Sequence, residues 1–262
     1  MTIIHTDDPD QYRDAEADGR FYHHGDDQFM SVTTALKLGL PSGHIAKWYA
    51  KIVAEYAIGN LYDLIQDNDE DEAVKWLKSQ PTLVRDAAGD RGSLIHELCE
   101  RYVLEHGAIR LDEYDSDIVN AVALYANWID TMEPEFIAVE GVCYNRRHRY
   151  AGTMDMIVDL PGHGRVVIDI KSGRGVYGSA ALQQTAYRRA EFIAVGDDEI
   201  KMPKTRGAFI LHLQKTQWRL LPVETGPASW SAFLHALHTA YWIAGEGGER
   251  GAVGQPVAKG KL

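Results

Sequence analysis

The feature that most constrains this chain is a pair of short β-rich segments between residues 149 and 171. The first segment, Gly152 to Leu160, and the second, Arg165 to Lys171, are rich in β-branched residues. Pro161-Gly162-His163-Gly164 between them has the composition of a tight turn. The pattern therefore predicts an antiparallel β-hairpin.

The register of this hairpin follows from residue spacing. In a hairpin folded symmetrically about Gly162, Asp155 and Asp169 are near-direct cross-strand neighbours, about 5 Å apart at Cβ. Because side chains alternate along a strand, Lys171 shares the face of Asp169, while Ile168 and Ile170 point to the opposite, apolar face. One face of the hairpin is therefore expected to carry two acids and an amine.

Two carboxylates placed opposite one another repel, so a proton or a cation must compensate for them. Carboxylate oxygens with a backbone carbonyl, here that of Ile170, suit hard Mg²⁺ or Mn²⁺. Lys171 could then lower the pKa of a metal-bound water or stabilise negative charge on a phosphorus centre. In the alternative interpretation, Asp155 and Asp169 are solvated polar positions, and Lys171 is their salt-bridge partner.

Five motifs in order resemble the PD-(D/E)XK nuclease superfamily, and most closely its RecB-like, Cas4-like exonuclease branch, which is common in phages. The similarity covers about residues 91 to 195. The motifs are Gly92-Ser93-Leu94-Ile95-His96, Glu140, Gly152-Thr153-Met154-Asp155, Asp169-Ile170-Lys171 and Gln183-Gln184-Thr185-Ala186-Tyr187.

This resemblance implies a metal-dependent DNA exonuclease that hydrolyses phosphodiester bonds in recombination or repair. The implied catalytic residues are Asp155, Asp169, Lys171, Gln183 and Tyr187. One or two Mg²⁺ or Mn²⁺ ions would be held by His96, Glu140, Asp155, Asp169 and the carbonyl of Ile170. DNA is the implied partner, together with a single-strand annealing recombinase or a helicase; the oligomeric state is left open.

Glu140 is the metal ligand that the register supports least. If its strand pairs symmetrically with the next about Arg147, Glu140 lies opposite Met154 rather than Asp155. A β-bulge or an uneven turn would be needed to rotate its side chain into the site.

Charge and cysteine content limit the partners and cofactors. The net charge of −11 disfavours nucleic-acid binding, but Arg146, Arg147 and Arg149 precede the hairpin and are predicted to bind a DNA backbone. An ordinary solvated turn is the alternative. Two cysteines cannot build the four-cysteine iron–sulfur cluster that some relatives in this branch carry.

The predicted fold class is α/β: a restriction-endonuclease-like core, with a mixed central sheet flanked by helices. Residues 1–90 are expected to be a helical N-terminal elaboration, 91–245 the nuclease core and 246–262 a flexible tail. No membrane span or secretory signal is predicted, so we expect a cytoplasmic protein, in the host cytoplasm if it is phage-encoded. The predicted helices are 42–64, 71–79, 91–106, 115–132, 179–195 and 227–244, and the further strands are 136–144, 207–213 and 216–223.

Two other functions use the same residues. A structure-selective or restriction-like endonuclease differs only in how DNA reaches the site. A non-cutting, DNA-binding member of the fold is less consistent with the sequence, because Asp155, Asp169 and Lys171 are all present.

Overall fold

A computed structural model of the protein describes residues 3–16, 19–41, 43–60, 62 and 70–245. The described residues form a mixed α/β structure with two compact units. One unit combines residues up to Leu40 with those from Leu124 onward, and we call it the β unit; the other, Pro41–Ala123, we call the helical unit. The observed divisions therefore differ from the boundary predicted at residue 91.

The strands and helices are numbered in chain order. The strands are β1 Ile4–His5, β2 Arg13–Glu16, β3 Gly19–His24, β4 Asp27–Ser31, β5 Glu135–Asn145, β6 Tyr150–Leu160, β7 Gly164–Lys171, β8 Phe192–Val195, β9 Asp198–Lys201, β10 Gly207–Leu213 and β11 Trp218–Pro222. The α-helices are α1 Val32–Gly39, α2 Gly43–Gly59, α3 Glu70–Leu104, α4 Ser116–Met132, α5 Gly178–Arg188 and α6 Pro227–Ala244; a 3₁₀ turn spans Pro9–Tyr12.

The β unit is built on one mixed sheet. Its main strand order is β11-β10-β7-β6-β4-β3-β2, while β5 pairs with β6, β1 and β8, and β9 pairs with β8. The pairs β1/β5, β4/β6 and β7/β10 are parallel and the remaining pairs are antiparallel. A mixed sheet with helices, as the sequence predicts at this level, is therefore observed.

The hairpin strands lie in the interior of the β unit. In β6 only Thr153 and Asp159 are not buried, because both faces of the strand are covered. Phe233, Leu237 and Ala240 of α6 belong to the same buried cluster as Met154 and Ile157 of β6. The chemistry-bearing residues are therefore held by well-packed strands.

The N-terminal segment differs from the predicted helical elaboration. Residues 4–31 supply four strands, because their short polar alternation can pair with an existing sheet although it is too weak to indicate strands by itself. The Ser31 side chain caps α1, because its hydroxyl accepts a hydrogen bond from the Thr34 N–H at 2.9 Å.

Two predictions for the helical unit are also wrong. The helices expected at 71–79 and 91–106 are one 35-residue helix, α3, which contains Pro81 and passes through Gly92. A glycine with open space around it costs only about 1 kcal/mol in a helix, so it need not start a new one. The spacing of apolar residues in this region also predicts a buried stripe of Trp48, Tyr49, Val53, Tyr56 and Leu61. This is wrong for α2, none of whose 17 residues is buried, and Leu61 lies outside the described residues.

Two further expectations concern the C-terminal third. The helix predicted to end at Val195 ends at Arg188, and the four residues of β8 pair with β5 or β9 instead. The predicted tail, 246–262, lies outside the described residues. Among the described residues, none of the helices combines the length and apolar character that a bilayer crossing requires.

Candidate metal centre

The candidate site lies where β6 changes neighbours along one of its edges. β5 pairs with β6 from Tyr150 to Asp159 on one side. On the other side, β4 pairs with Tyr150 and Ala151, and β7 pairs with residues 156–160. Residues 152–155 therefore face a gap in the ladder, as far as the described strands go, and this gap contains the Gly-Thr-Met-Asp motif.

Asp155 lies at the end of this gap. The β6/β7 ladder keeps the predicted register, and its last pair is Met156 with Ile168. Continuing that register by one residue would place Asp155 opposite Asp169, but instead the Asp155 carboxylate accepts a hydrogen bond from the Ile170 N–H at 2.6 Å. Both aspartates are buried, with Asp155 8% and Asp169 1% exposed. The β6/β7 ladder thus ends one residue before Asp155, and the Asp155 carboxylate binds the backbone N–H of the residue after Asp169.

The same hydrogen bond orients the backbone of Ile170. In an extended strand, the N–H and C=O of one residue point to the same side. Since the Ile170 N–H is directed at Asp155, its carbonyl is also on the β6 side of β7. Its role as a metal ligand remains a prediction, and this orientation is compatible with it.

Lys171 forms an ion pair with Asp169. The Lys171 Nζ lies 2.6 Å from Asp169 Oδ2, and one third of the lysine side chain is exposed. Burial alone would lower the pKa of Lys171, but attraction to the carboxylates of Asp169 and Asp155 outweighs it, and the pKa is raised above its ordinary value. The group is therefore an ammonium at neutral pH, suited to stabilising anionic charge rather than to acting as a base.

Glu140 does not have the predicted partner. The ladder pairs Val139 with Met156 and Gly141 with Met154, so Glu140 lies opposite Asp155 and not opposite Met154. The prediction was one residue off because the β5–β6 turn is centred after Arg147, with Asn145 paired to Tyr150.

The backbone at Glu140 is nevertheless irregular, as predicted for a side chain that must be rotated into the site. Its φ is +45°, in the left-handed region that glutamate rarely adopts, and the β5/β6 ladder is interrupted between Glu140 and Asp155. Carboxylate oxygens of Glu140 and Asp155 lie within 4.8 Å of one another. Such a non-glycine outlier is typical of functional sites.

His96 belongs to the helical unit. It lies on α3 and is half-buried, next to the fully buried Ile95. Its assignment as a ligand rests on the Gly-x-x-x-His motif and remains a prediction.

Gln183 and Tyr187 meet on one face of α5, as their spacing predicts. The Gln183 amide donates a hydrogen bond to the Tyr187 hydroxyl at 3.1 Å. Tyr187 is 2% exposed, and burial raises its pKa well above the ordinary value. A buried phenol is poorly placed to contact DNA directly, so the geometry favours a positioning role for Tyr187.

The position of Tyr187 explains a motif glycine. A Cβ added at Gly152 would lie 2.8 Å from the Tyr187 ring. The Gly-Thr-Met-Asp and Gln-x-x-x-Tyr motifs therefore share one contact, in which the ring packs against the backbone three residues before Asp155.

The three predicted DNA-binding arginines lie in different environments. Arg146 forms a two-pronged ion pair with Glu199, with Nη1 3.0 Å from Oε2, and its Nε is 3.6 Å from Asp27. Arg149 donates from Nη2 to the Gln28 carbonyl at 3.2 Å, whereas Arg147 is exposed. A phosphate at Arg146 would have to compete with two carboxylates, so Arg147 is the best placed of the three.

Two polar residues near the site were missed by sequence reasoning. Tyr22, which is buried, has its hydroxyl 3.1 Å from the Thr153 hydroxyl, beside Asp155 in sequence. His212 lies next to Lys171 in the β7/β10 register, and its Nε2 is 2.8 Å from the Gly173 carbonyl oxygen. The only available signal for His212 was an imidazole within an otherwise apolar strand.

The donor set fits a hard divalent ion. Asp155 and Asp169 are buried carboxylates, and half-buried Glu140 has an oxygen within 4.8 Å of one from Asp155, so a cation would compensate for the repulsion between neighbouring acids. Comparison with known proteins finds no matching family model and no curated protein with significant similarity.

Proposed function

We propose that this protein is a metal-dependent deoxyribonuclease with a PD-(D/E)XK-type core, acting as an exonuclease. The observation that carries the proposal is the meeting of Asp155, Asp169 and the Lys171 ammonium where β6 and β7 separate, with Glu140 opposite Asp155. An amine held next to buried acids in this way is suited to phosphodiester hydrolysis.

The metal would be Mg²⁺ or Mn²⁺. Asp155, Asp169 and the Ile170 carbonyl would hold it, and Glu140 would supply a further ligand. A bound divalent ion would polarise the phosphate and lower the pKa of water, the Lewis-acid contribution to hydrolysis.

The side chains of the protein supply the remaining contributions. The Lys171 ammonium, kept protonated by Asp169, donates a hydrogen bond to a phosphate oxygen as negative charge increases on it. Tyr187 packs against Gly152 and so fixes the backbone that leads to Asp155. No covalent enzyme intermediate is required, because water is the nucleophile.

Digestion of DNA from its ends would suit a role in recombination or repair, and the corresponding partner is a single-strand annealing recombinase or a helicase. The access of DNA to the site decides between exonuclease and endonuclease. These alternatives are therefore separate outcomes of one experiment.

The test incubates the protein with end-labelled linear DNA and with covalently closed circles, in Mg²⁺, Mn²⁺ or EDTA. We expect linear DNA alone to be degraded, only with metal, and Lys171→Ala to reduce the rate by about 10²-fold or more. Lys201→Ala, which removes an exposed lysine on β9, is the matched control and should retain full activity.

Each other outcome has a definite meaning. Metal-dependent cutting of circles would identify an endonuclease. DNA binding with no metal-dependent loss of either substrate would identify a non-cutting member of the fold and contradict the proposal.

A further inference from the structure

The segment that follows Lys171 differs in charge from the rest of the chain. Residues 172–190 contain three arginines and no acidic residue, in a protein whose net charge is −11. Nucleic acid is attracted to regions of positive charge and repelled by acidic ones. The part of the β unit next to the site is therefore also a part that DNA can approach.

The beginning of this segment is fixed in place. The His212 imidazole and the Gly173 carbonyl oxygen form a hydrogen bond of 2.8 Å, and His212 is 4% exposed. His212 is also the ladder neighbour of Lys171. The position of the chain directly after Lys171 is therefore fixed by this hydrogen bond.

Four residues after Gly173, the chain presents an aromatic ring. Tyr177 is 69% exposed, whereas Tyr144, Tyr150 and Tyr187 of the same unit are at most 2% exposed. A Cβ added at Gly175 would lie 3.6 Å from the Tyr177 hydroxyl, so the hydroxyl end of the ring lies beside Gly175. Arg174, between Gly173 and Tyr177, is exposed.

The ring is close to the site along the chain. Tyr177 is six positions after Lys171, so their Cα atoms are at most about 22 Å apart. Tyr177 is also the N-cap residue of α5, the helix whose Tyr187 packs against Gly152. In both chain directions, Tyr177 is thus followed by a residue of the candidate metal centre: Lys171 on its N-terminal side and Tyr187 on its C-terminal side.

We infer that residues 173–177 form a binding platform for a single-stranded DNA end, on which Tyr177 stacks against an unpaired base and Arg174 contacts the backbone. Stacking on an exposed ring requires a base that is not already stacked in a duplex. The platform therefore selects DNA with a single-stranded end over blunt duplex. His212 is its positioning residue, and the inference deepens the proposed function by naming the substrate class.

The test measures binding separately from cutting. Fluorescence anisotropy in EDTA gives the Kd of the full-length protein for blunt duplex, for duplexes with a 3′ or a 5′ overhang, and for single-stranded DNA. We expect Tyr177→Ala to raise the Kd for overhang and single-stranded DNA about tenfold, and to leave blunt duplex unchanged. Tyr177→Trp should retain wild-type binding, since it keeps an aromatic face.

The matched control is Trp242→Ala on α6, which removes another exposed aromatic side chain and should not change the Kd. His212→Ala should weaken binding of overhang DNA in the same direction, and His212→Gln, which retains an N–H donor of similar reach, should partly restore it. Thermal melting of each variant separates loss of binding from loss of folding.

The outcomes distinguish this inference from the proposed function. If Tyr177→Ala binds overhang DNA as tightly as Trp242→Ala while metal-dependent hydrolysis continues, the platform is overturned and the nuclease stands. If the wild type does not hydrolyse DNA but Tyr177→Ala loses binding to single-stranded ends, the platform stands and the nuclease is overturned.

Discussion

Glu140 has an unfavourable backbone conformation in a buried strand, and a metal ligand would give it a functional reason to persist. Its φ of +45° is one that glycine adopts without strain, and its carboxylate adds repulsion beside Asp155. The expected cost is about 1 kcal/mol from the backbone alone. Such a position offers a test of metal binding that does not depend on activity.

We expect Glu140→Gly to raise the free energy of unfolding of the metal-free protein by about 1 kcal/mol and to reduce its stabilisation by Mn²⁺. The measurement is thermal melting in EDTA and in Mn²⁺. Glu133→Gly is the control, because Glu133 is exposed and has a φ of +46°. It should be stabilised similarly and keep the full Mn²⁺ shift, and an equal Mn²⁺ shift in both variants would remove Glu140 from the metal site.

The contact between Gly152 and Tyr187 makes a second prediction at this scale. Gly152→Ala would place a methyl group 2.8 Å from the Tyr187 ring, so we expect a loss of about 1–3 kcal/mol in the free energy of unfolding. Urea denaturation measures it. Gly178→Ala, at the open first position of α5, should be neutral or slightly stabilising; an equally neutral Gly152→Ala would show that the ring can move away.

At the scale of residues, the features that could be predicted are those fixed by the alternation of side chains along one hairpin. The pairing register of β6 and β7 and the shared face of Asp169 and Lys171 both follow from counting from the turn. The left-handed φ of Glu140 and the dependence of Gly152 on Tyr187 could not be predicted. They arise from contacts between segments that are far apart in sequence.

Among the elements, β9 is attached to the β5–β6 turn through Glu199 and Arg146. The Arg146 guanidinium, and then the Tyr144 hydroxyl, lower the pKa of Glu199 from 4.5 to about 2. A carboxyl with a lowered folded-state pKa stabilises the protein above its unfolded-state pKa, and this stabilisation is lost as the pH falls through the folded-state value. The window for Glu199 is therefore about pH 4.5 down to pH 2.

We expect Glu199→Gln to lower the melting temperature near pH 6, with a difference from wild type that shrinks between pH 4.5 and pH 2. Thermal melting across this range is the measurement. Asp198→Asn, an exposed neighbour on the same strand, is the control and should show a smaller effect at pH 6. A Glu199→Gln difference that is constant with pH would mean that the ion pair does not stabilise the fold.

Elements with strong local patterns were predicted well. The bounds of α6 and β10 agree with the structure, and β5, β7, β11 and α4 differ by one to two residues at an end. The short strands β2, β3, β8 and β9 were missed, because segments of four to six residues are defined by their pairing partners more than by their own sequence. α3 was divided in two because Pro81 and Gly92 suggest helix ends that the tertiary structure overrides.

For the molecule as a whole, the two compact units differ in how well their elements are buried. None of the residues of α2 is buried, and even its apolar residues Ile45 and Ile58 are exposed. In contrast, β6 is buried along nearly its whole length. Backbone hydrogen bonds protected by few buried contacts open at low free-energy cost. α2 should therefore be more dynamic in solution than β6.

Hydrogen exchange followed by mass spectrometry tests this expectation. Peptides from 43–59 should exchange at least about a hundredfold faster than peptides from 150–171, since local opening suffices for the former and global unfolding is needed for the latter. The peptide from 227–244, an α-helix with buried residues, is the control and should exchange slowly. Strong protection of 43–59 would show that α2 is covered in solution.

The pairing of N-terminal strands with β5 and β6 limits how far the chain can be shortened. β4 pairs with the start of β6, and β1 pairs with β5 at Ala138 and Val139. A protein begun at residue 91 would lack both, and two central strands would present unpaired N–H and C=O groups at their edges. Edges of this kind recruit strands from other molecules, so such a truncation should aggregate into intermolecular β-structure instead of yielding a smaller folded protein.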